Sequence, residues 1–317
     1  MAGRKKKKKG SGGLAVGQLR KAVGLIAGFV ILLFWLLDMT GIISFDSLLI
    51  KAGVEDKPAE HAQTEVHFVD VGQGDSTLVI SQGEAMLIDS GDKDDNNTIE
   101  KYLEKQGVTE IKYLIATHPH ADHIGEMSEI IDQFDVDKFI MPKVPKEQTP
   151  TTAVYEKMLK SAKKKGLKIT PAKAMEFELG SCKVELFTPS GTYDNLNDYS
   201  TLVKITDGDN SFLITGDCET PEEKDILKQG YDISAKVLKA GHHGSSTSSS
   251  ADFLNVVMPR YAVISCAKEN KYGHPHEETV TRLKKYASHL YITADNGTVV
   301  FRSDGEGLSV SVEKGEK

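Results

Sequence analysis

The chain is 317 residues long and 39% hydrophobic, enough for one large domain or two small ones with a sizeable buried core, so general disorder is excluded. Cys182, Cys218 and Cys266 are odd in number and contain no CxxC pair, which excludes a disulfide framework and a cysteine-rich zinc finger. The net charge is −7; without the eight positive charges of Arg4, Lys5 to Lys9, Arg20 and Lys21 the remainder stands at −15, a body that repels nucleic acid unless bound cations reverse the field locally.

From Ala22 to Leu37 sixteen residues run without a charge, and the flanking segments extend the stretch to about twenty, enough to span a bilayer. The basic cluster ahead of it holds residues 1–21 in the cytoplasm by the positive-inside preference and places the rest outside. A cleaved signal peptide shares this pattern, but no A-x-A-like site follows Leu37, where Asp38-Met39-Thr40 stands. The reading is therefore an uncleaved transmembrane anchor over 22–42, a linker over 43–63 and a domain over 64–317.

Alternation and β-forming residues predict strands over 65–70, 76–80 and 85–89, joined by Gly-containing turns. A helix over 97–106 carries Ile99, Tyr102 and Leu103 on one face and stops at Gly107. The continuous apolar run 111–116 suits a strand covered on both faces. A helix over 123–133, a strand over 138–141 and a helix over 151–165 follow. Strands at 183–188, 201–206 and 212–216 lead to a helix at 221–228, and then strand 235–239, helix 251–258, strand 261–266 and helix 277–287 alternate. Strands near Tyr291, at 298–302 and at 308–312 close the chain. Hairpin spacings mixed with helical crossovers predict an α/β fold of two mixed sheets with helices outside.

Seven of the ten histidines fall in three short windows, each just after a predicted strand. In Thr117-His118-Pro119-His120-Ala121-Asp122-His123 three imidazoles and a carboxylate meet one rim of a sheet, a set able to hold two divalent cations side by side. Helix capping alone does not call for such crowding. Asp217 follows another strand; by itself it reads as a helix cap, but beside the first window it reads as a bridging ligand. His242 and His243 add two imidazoles among glycines. The Ser-rich run that follows, with Ser245 and Ser246, leads into a helix where N–H groups and hydroxyls suit a phosphate. In the third window His274 is read as binding substrate or protonating a leaving group, and His276 as touching substrate or capping the next helix. His61, His67 and His289 lie outside the windows and are read as ordinary residues.

These motifs resemble the metallo-β-lactamase superfamily, whose signature is HxHxDH and whose fold is a four-layer αββα sandwich. They are more similar still to its ComEC-like branch, the hydrolase domain attached to DNA-uptake channels. Six motifs carry the resemblance in order: Asp70 to Ser76, Leu87 to Gly91, the HPHADH window, Gly216-Asp217, His242 to Ser245 and Gly273-His274-Pro275. It spans about Thr64 to Val312. The resemblance implies that His118 and His120 bind one metal, that Asp122 and His123 bind a second together with one histidine of the His242-His243 pair, His243 being preferred and its neighbour facing substrate, and that Asp217 bridges the two. It implies also that Asp89 orients the histidine loop from behind. Many superfamily members place a further histidine before the bridging aspartate, whereas this sequence reads Asp194-Asn195-Leu196-Asn197-Asp198-Tyr199-Ser200, so the first metal relies on fewer ligands or on an oxygen, and zinc and manganese both remain open. The expectation is the hydrolase part on one anchor, without the many membrane helices of an uptake channel.

The expectation is thus a membrane-anchored, extracytoplasmic dinuclear hydrolase of a phosphodiester, possible substrates including DNA, with zinc or manganese as cofactor. A metal-bridging hydroxide held by Asp122 and Asp217 would attack phosphorus, and His242 or His274 would donate to the leaving oxygen. Alternatives are hydrolysis of an ester, thioester or lactam, and a surface-anchored binding module without activity.

Overall fold

A computed structural model describes residues 56–93 and 96–315. The predicted anchor at 22–42 and its basic flank lie outside them. Among the described residues no helix is long and apolar enough to cross a membrane.

The chain opens with strands β1 (Thr64–Phe68), β2 (Thr77–Ser81) and β3 (Glu84–Ile88), then helix α1 (Thr98–Lys105), strand β4 (Glu110–Ile115), helices α2 (Ala121–Ile124) and α3 (Met127–Gln133), strand β5 (Asp135–Met141), helix α4 (Ala153–Lys165) and strand β6 (Ile169–Pro171). A second run brings β7 (Met175–Leu179), β8 (Cys182–Phe187), β9 (Leu202–Asp207), β10 (Asn210–Ile214), α5 (Thr220–Gln229), β11 (Val237–Lys239), α6 (Ala251–Val257), β12 (Tyr261–Ile264), α7 (Glu277–Tyr286), β13 (His289–Ile292) and α8 (Thr293–Asn296). Strands β14 (Val299–Ser303) and β15 (Leu308–Val312) return to the first sheet.

One sheet runs β15-β14-β1-β2-β3-β4-β5-β6 and the other β13-β12-β11-β10-β9-β8-β7. Each is antiparallel on one side and parallel from β3 to β6 or from β10 to β13, so the parallel strands of both sheets release their loops at one rim. Strand alternation divides the core accordingly. Val66, Phe68, Val79 and Met86 meet Val184, Val203, Phe212 and Val263 between the sheets, while Leu78 and Leu87 face out toward Ile99, Leu103, Ile130 and Met158 of the first helical layer. Leu213, Leu238 and Ala262 face out toward Ile226, Phe253, Leu254 and Leu283 of the second. Two mixed sheets between two helical layers make the expected α/β sandwich.

Local signals set the helix ends. Thr152 Oγ1 accepts from the Tyr155 N–H at 3.3 Å to start α4, and Ser250 Oγ accepts from the Phe253 N–H at 3.3 Å to start α6. The predicted helix 123–133 is two helices. At Gly125, between them, a Cβ would run into the backbone of Asp92 and Lys93, so this close approach breaks the run. Beside it Glu126, buried, accepts from the Ile99 N–H at 3.2 Å and so serves the start of α1, where Asn97 makes no side-chain cap. Strands β6 and β7 were not expected. Both are edge strands, one ending in Pro171 and the other carrying charges at Glu176 and Glu178, which dilutes their signal.

Candidate metal centre

The HPHADH window leaves the end of β4 and turns into α2, and its position is fixed from below by Asp89 at the end of β3. The Asp89 backbone is left-handed (φ 58°), which turns its carboxylate inward. Oδ1 accepts from the Thr117 N–H at 2.7 Å; Oδ2 accepts from Thr117 Oγ1 at 2.7 Å and from His123 Nδ1 at 2.8 Å. With Nδ1 committed, His123 presents Nε2 to the rim. Burial raises the Asp89 pKa, and its partners His123 and Thr117 oppose that rise.

Asp217, just beyond β10, lies at the centre of what gathers there. Its Oδ1 is 3.2 Å from His123 Nε2 and 3.5 Å from His243 Nε2, while its Oδ2 is 3.7 Å from His118 Nε2. His118 Nε2 and His120 Nδ1 are 3.0 Å apart, and His243 Nε2 is 3.2 Å from Asp122 Oδ2. Donor atoms of Asp122, His123, Asp217 and His243 lie within 4.8 Å of one another, as do those of His118, His120 and Asp217. A cation about 2 Å from each of several nitrogen and oxygen ligands needs such spacing. The Nε2 of His123 and Oδ1 of Asp217 are buried and make no well-aligned hydrogen bond, a costly arrangement unless a cation stands between them. The residues therefore fit a pair of divalent cations.

The electrostatics agree. Burial opposes charge on His243, but the Asp217 and Asp75 carboxylates overcome it and hold the imidazole up at about 10. His123 is likewise held well above its usual value against burial by Asp217 and Asp89. Burial would raise Asp217, yet His123 and His243 hold it well below the carboxylate range. His118 goes the other way, lowered by burial and by neighbouring His123.

His242 and His243 both take left-handed backbone (φ 50° and 53°), strain on the order of 1–3 kcal/mol per residue that side-chain contacts must offset. His243 Nδ1 donates to Ser265 O at 3.0 Å, which aims Nε2 at Asp217. His242 pairs Nδ1 with Glu219 Oε1 at 2.8 Å, leaving Nε2 toward a cavity of about 370 Å³ that Asp122, Asp217, His243 and His274 also line.

Not every expected residue reaches this cavity. Ser245 is buried and its hydroxyl meets Thr247 Oγ1 at 3.0 Å, and the Ser246 N–H donates to His276 Nδ1 at 2.9 Å. Ser246 and His276 line a neighbouring depression with Glu277 and Glu278 instead. The loop turns them away because their polar groups are spent tying it to the start of α7. His276 occupies the N-cap position of α7 without a side-chain capping bond. His274 lines the cavity, but burial, then His242, His243 and His276, push its imidazole down to about 4, so near neutral pH it is uncharged and lacks a spare proton for a leaving group.

Other residues at the site had no assigned role. Asp75, in the stretch after β1, forms a buried ion pair with Lys239 of β11 and lies 3.3 Å from His243 Nδ1. Glu219 was signalled only by its place two residues after Asp217. Asn197 is buried; its Nδ2 is 3.4 Å from His242 Nε2 and 3.3 Å from Glu219 Oε1, and its Oδ1 lacks a well-aligned partner. It stands in the segment where many superfamily members place a histidine.

Residues 69–268 match the family described as Metallo-beta-lactamase superfamily. The chain belongs to that superfamily. It is also similar to ComE operon protein 3 of Bacillus subtilis, 30% identical over 270 residues, covering 77% of this chain and 34% of the relative. Recombination protein 2 of Haemophilus influenzae is 29% identical over 241 residues, covering 74% of this chain and 28% of the relative. The chain thus spans about a third of the length of these curated relatives, and they bear out the ComEC-like resemblance. Among solved structures, CmlA, a diiron beta-hydroxylase from Streptomyces venezuelae, shares the fold at a TM-score of 0.53 and 12% identity, over 81% of this chain and 59% of that one. As a metallo-beta-lactamase superfamily member with a His/Asp cluster fit for two cations, the protein is a metal-dependent hydrolase.

Proposed function

We propose that this hydrolase is a phosphodiesterase held at the cell membrane by residues 22–42, with its catalytic domain outside the cytoplasm, and that DNA is among its substrates. The dinuclear reading is supported above all by the Asp217 carboxylate, which turns one oxygen to His123 and His243 and the other to His118. In this reading His118 and His120 hold one cation, Asp122, His123 and His243 the other, and Asp217 both. Asn197 borders the same cavity and its buried Oδ1 lacks a partner, so in this reading it completes the first set with an oxygen, which favours manganese over zinc there. When bound, the two cations supply Lewis acidity and lower the pKa of a coordinated water.

Asp122 and Asp217 border the cavity and orient the attacking water toward phosphorus. His242 carries the proton to the leaving oxygen, because Glu219 holds its ring through Nδ1 and the ring lines the cavity, with Nε2 beside Asn197 Nδ2 at 3.4 Å and Asp217 Oδ2 at 3.8 Å. His274 contributes a neutral hydrogen bond. A phosphodiester is preferred over an ester, thioester or lactam because one relative is named for recombination, which acts on nucleic acid.

The test is turnover of bis(p-nitrophenyl) phosphate, a β-lactam and a thioester by the detergent-extracted chain with zinc or manganese added. Phosphodiester turnover is expected. Activity confined to the lactam or thioester removes the proposal, and two bound metals without any turnover point to a binding module. Intact mass of the extracted protein tests the anchor, since loss of the first forty or so residues contradicts it.

A further inference from the structure

A second cavity, of about 430 Å³, adjoins the one over the metal ligands, and Gln73, Asp122 and Tyr272 border both. Its own walls add Asp92, Glu269 and Lys271. Tyr272 stands between the two with 51% of its surface exposed, a large ring left uncovered beside a polar cleft. One side of that ring is backed by His274, parallel within 21° at a centroid distance of 5.5 Å, and the Lys271 ammonium lies 5.0 Å from its centroid.

The platform is rigid. Asn270 Nδ2 donates to Ala267 O at 3.0 Å and to His274 O at 2.6 Å, while its Oδ1 accepts from the N–H groups of Tyr272 at 3.1 Å and His274 at 2.9 Å. One side chain thus knits the loop that presents the ring. Gln73, facing it, accepts from the Ala267 N–H through Oε1 at 3.3 Å, and its Nε2 is buried without a hydrogen-bond partner among the described residues. A fixed, exposed aromatic ring beside an unused donor is arranged to receive a flat, polar partner.

The charge of the second cavity narrows what that partner is. Apart from the metal ligand Asp122, Asp92 and Glu269 outnumber Lys271 and disfavour a further phosphate, and they accept hydrogen bonds from amines and hydroxyls. We infer that this cavity is a subsite for the uncharged nucleoside portion of a substrate, with a nucleobase stacked on Tyr272 and its sugar or exocyclic amines facing Glu269 and Asp92. The inference rests on the phosphodiesterase reading, because the scissile phosphate would lie next door over Asp122 and Asp217. A base laid on the exposed ring would compete with the Lys271 ammonium for it.

The test compares Kd values by calorimetry on the full chain with manganese, using two hydrolysis-resistant probes, a dithymidine phosphorothioate and dimethyl phosphorothioate. The wild-type chain is expected to prefer the dinucleoside. Tyr272→Ala is expected to weaken that probe about tenfold and leave dimethyl phosphorothioate unchanged, and Tyr272→Phe, which keeps the ring, to stay near wild type. Tyr272 is exposed, so neither change threatens the fold. Equal binding of the dinucleoside by wild type and Tyr272→Ala, an equal loss on both probes, or no wild-type preference overturns the subsite. Turnover of bis(p-nitrophenyl) phosphate carries no nucleoside and judges the parent reading separately.

Discussion

At the rim where the parallel strands end, the first sheet supplies His118, His120, Asp122 and His123 from a single loop, whereas the second supplies Asp217, His242, His243 and His274 from three. In the first set His118 and His123 are fully buried, with Asp89 and Thr117 gripping the loop from behind, while His120 and Asp122 border the cavity. The second set keeps His242 partly open to the cavity and backs it with Glu219. The first sheet gathers its ligands in one loop gripped from behind, whereas the second adds to its ligands His242 and His274, which line the cavity without belonging to either cation group. Breaking residues on each side separates two duties, holding cations and meeting substrate.

Asp217 belongs to both duties, so the largest effect is expected from Asp217→Ala. Its loss removes the shared ligand of both groups, and metal content measured by plasma mass spectrometry should fall below two equivalents while turnover drops to background. Two equivalents retained would contradict the bridging role. His242→Ala should instead keep both metals and lower kcat by about 10²- to 10⁴-fold, the range of a lost proton donor. His274→Ala should act mainly on KM. Equal kcat losses in these two variants would erase the distinction drawn between them. Asp89→Asn tests the loop gripped from behind: the carboxamide cannot accept from Thr117 and His123 with the same charge, and metal affinity at the His123 group should fall about 10- to 100-fold.

The same contrast explains what the sequence could reveal. The HPHADH ligands sit within six consecutive residues after an apolar strand, so their convergence is visible from spacing. Asp217 and His243 became legible only beside that window, because a lone acid or histidine after a strand has several ordinary explanations. The Asp75–Lys239 ion pair joins residues 164 positions apart and left no local mark. Ser245 and Ser246 lie outside the cavity for a different reason. Their composition suits a phosphate loop, but the left-handed turns at His242 and His243 and the bond from Ser246 to His276 point them away, and no composition encodes that rotation. Strand alternation predicted the sheets well, and failed at β6 and β7, where edge position relaxes the pattern.

The smallest effect concerns stability and lies behind the second sheet's reactive loop. Glu223 of α5 is buried and accepts from the Ser250 N–H at 3.0 Å, anchoring the Ser-rich segment at the start of α6. Burial, only partly offset by the Ser250 contacts, raises its carboxyl from 4.5 to about 6. The folded state therefore holds this proton more tightly than the unfolded chain. Its contribution is fully present below about 4.5 and is lost as pH rises through about 6, a difference on the order of 2 kcal/mol. Glu223→Gln keeps an acceptor for Ser250 and removes the ionisation. Denaturant titrations of the metal-free chain at pH 7.5 should show the variant more stable by about that amount, with the gain vanishing near pH 4.5. Because Glu223 touches none of the metal ligands, the variant should bind two cations as the parent does. A variant less stable at pH 7.5 would mean that the ionised carboxylate holds the loop better than an amide can, and that burial is not what governs this group.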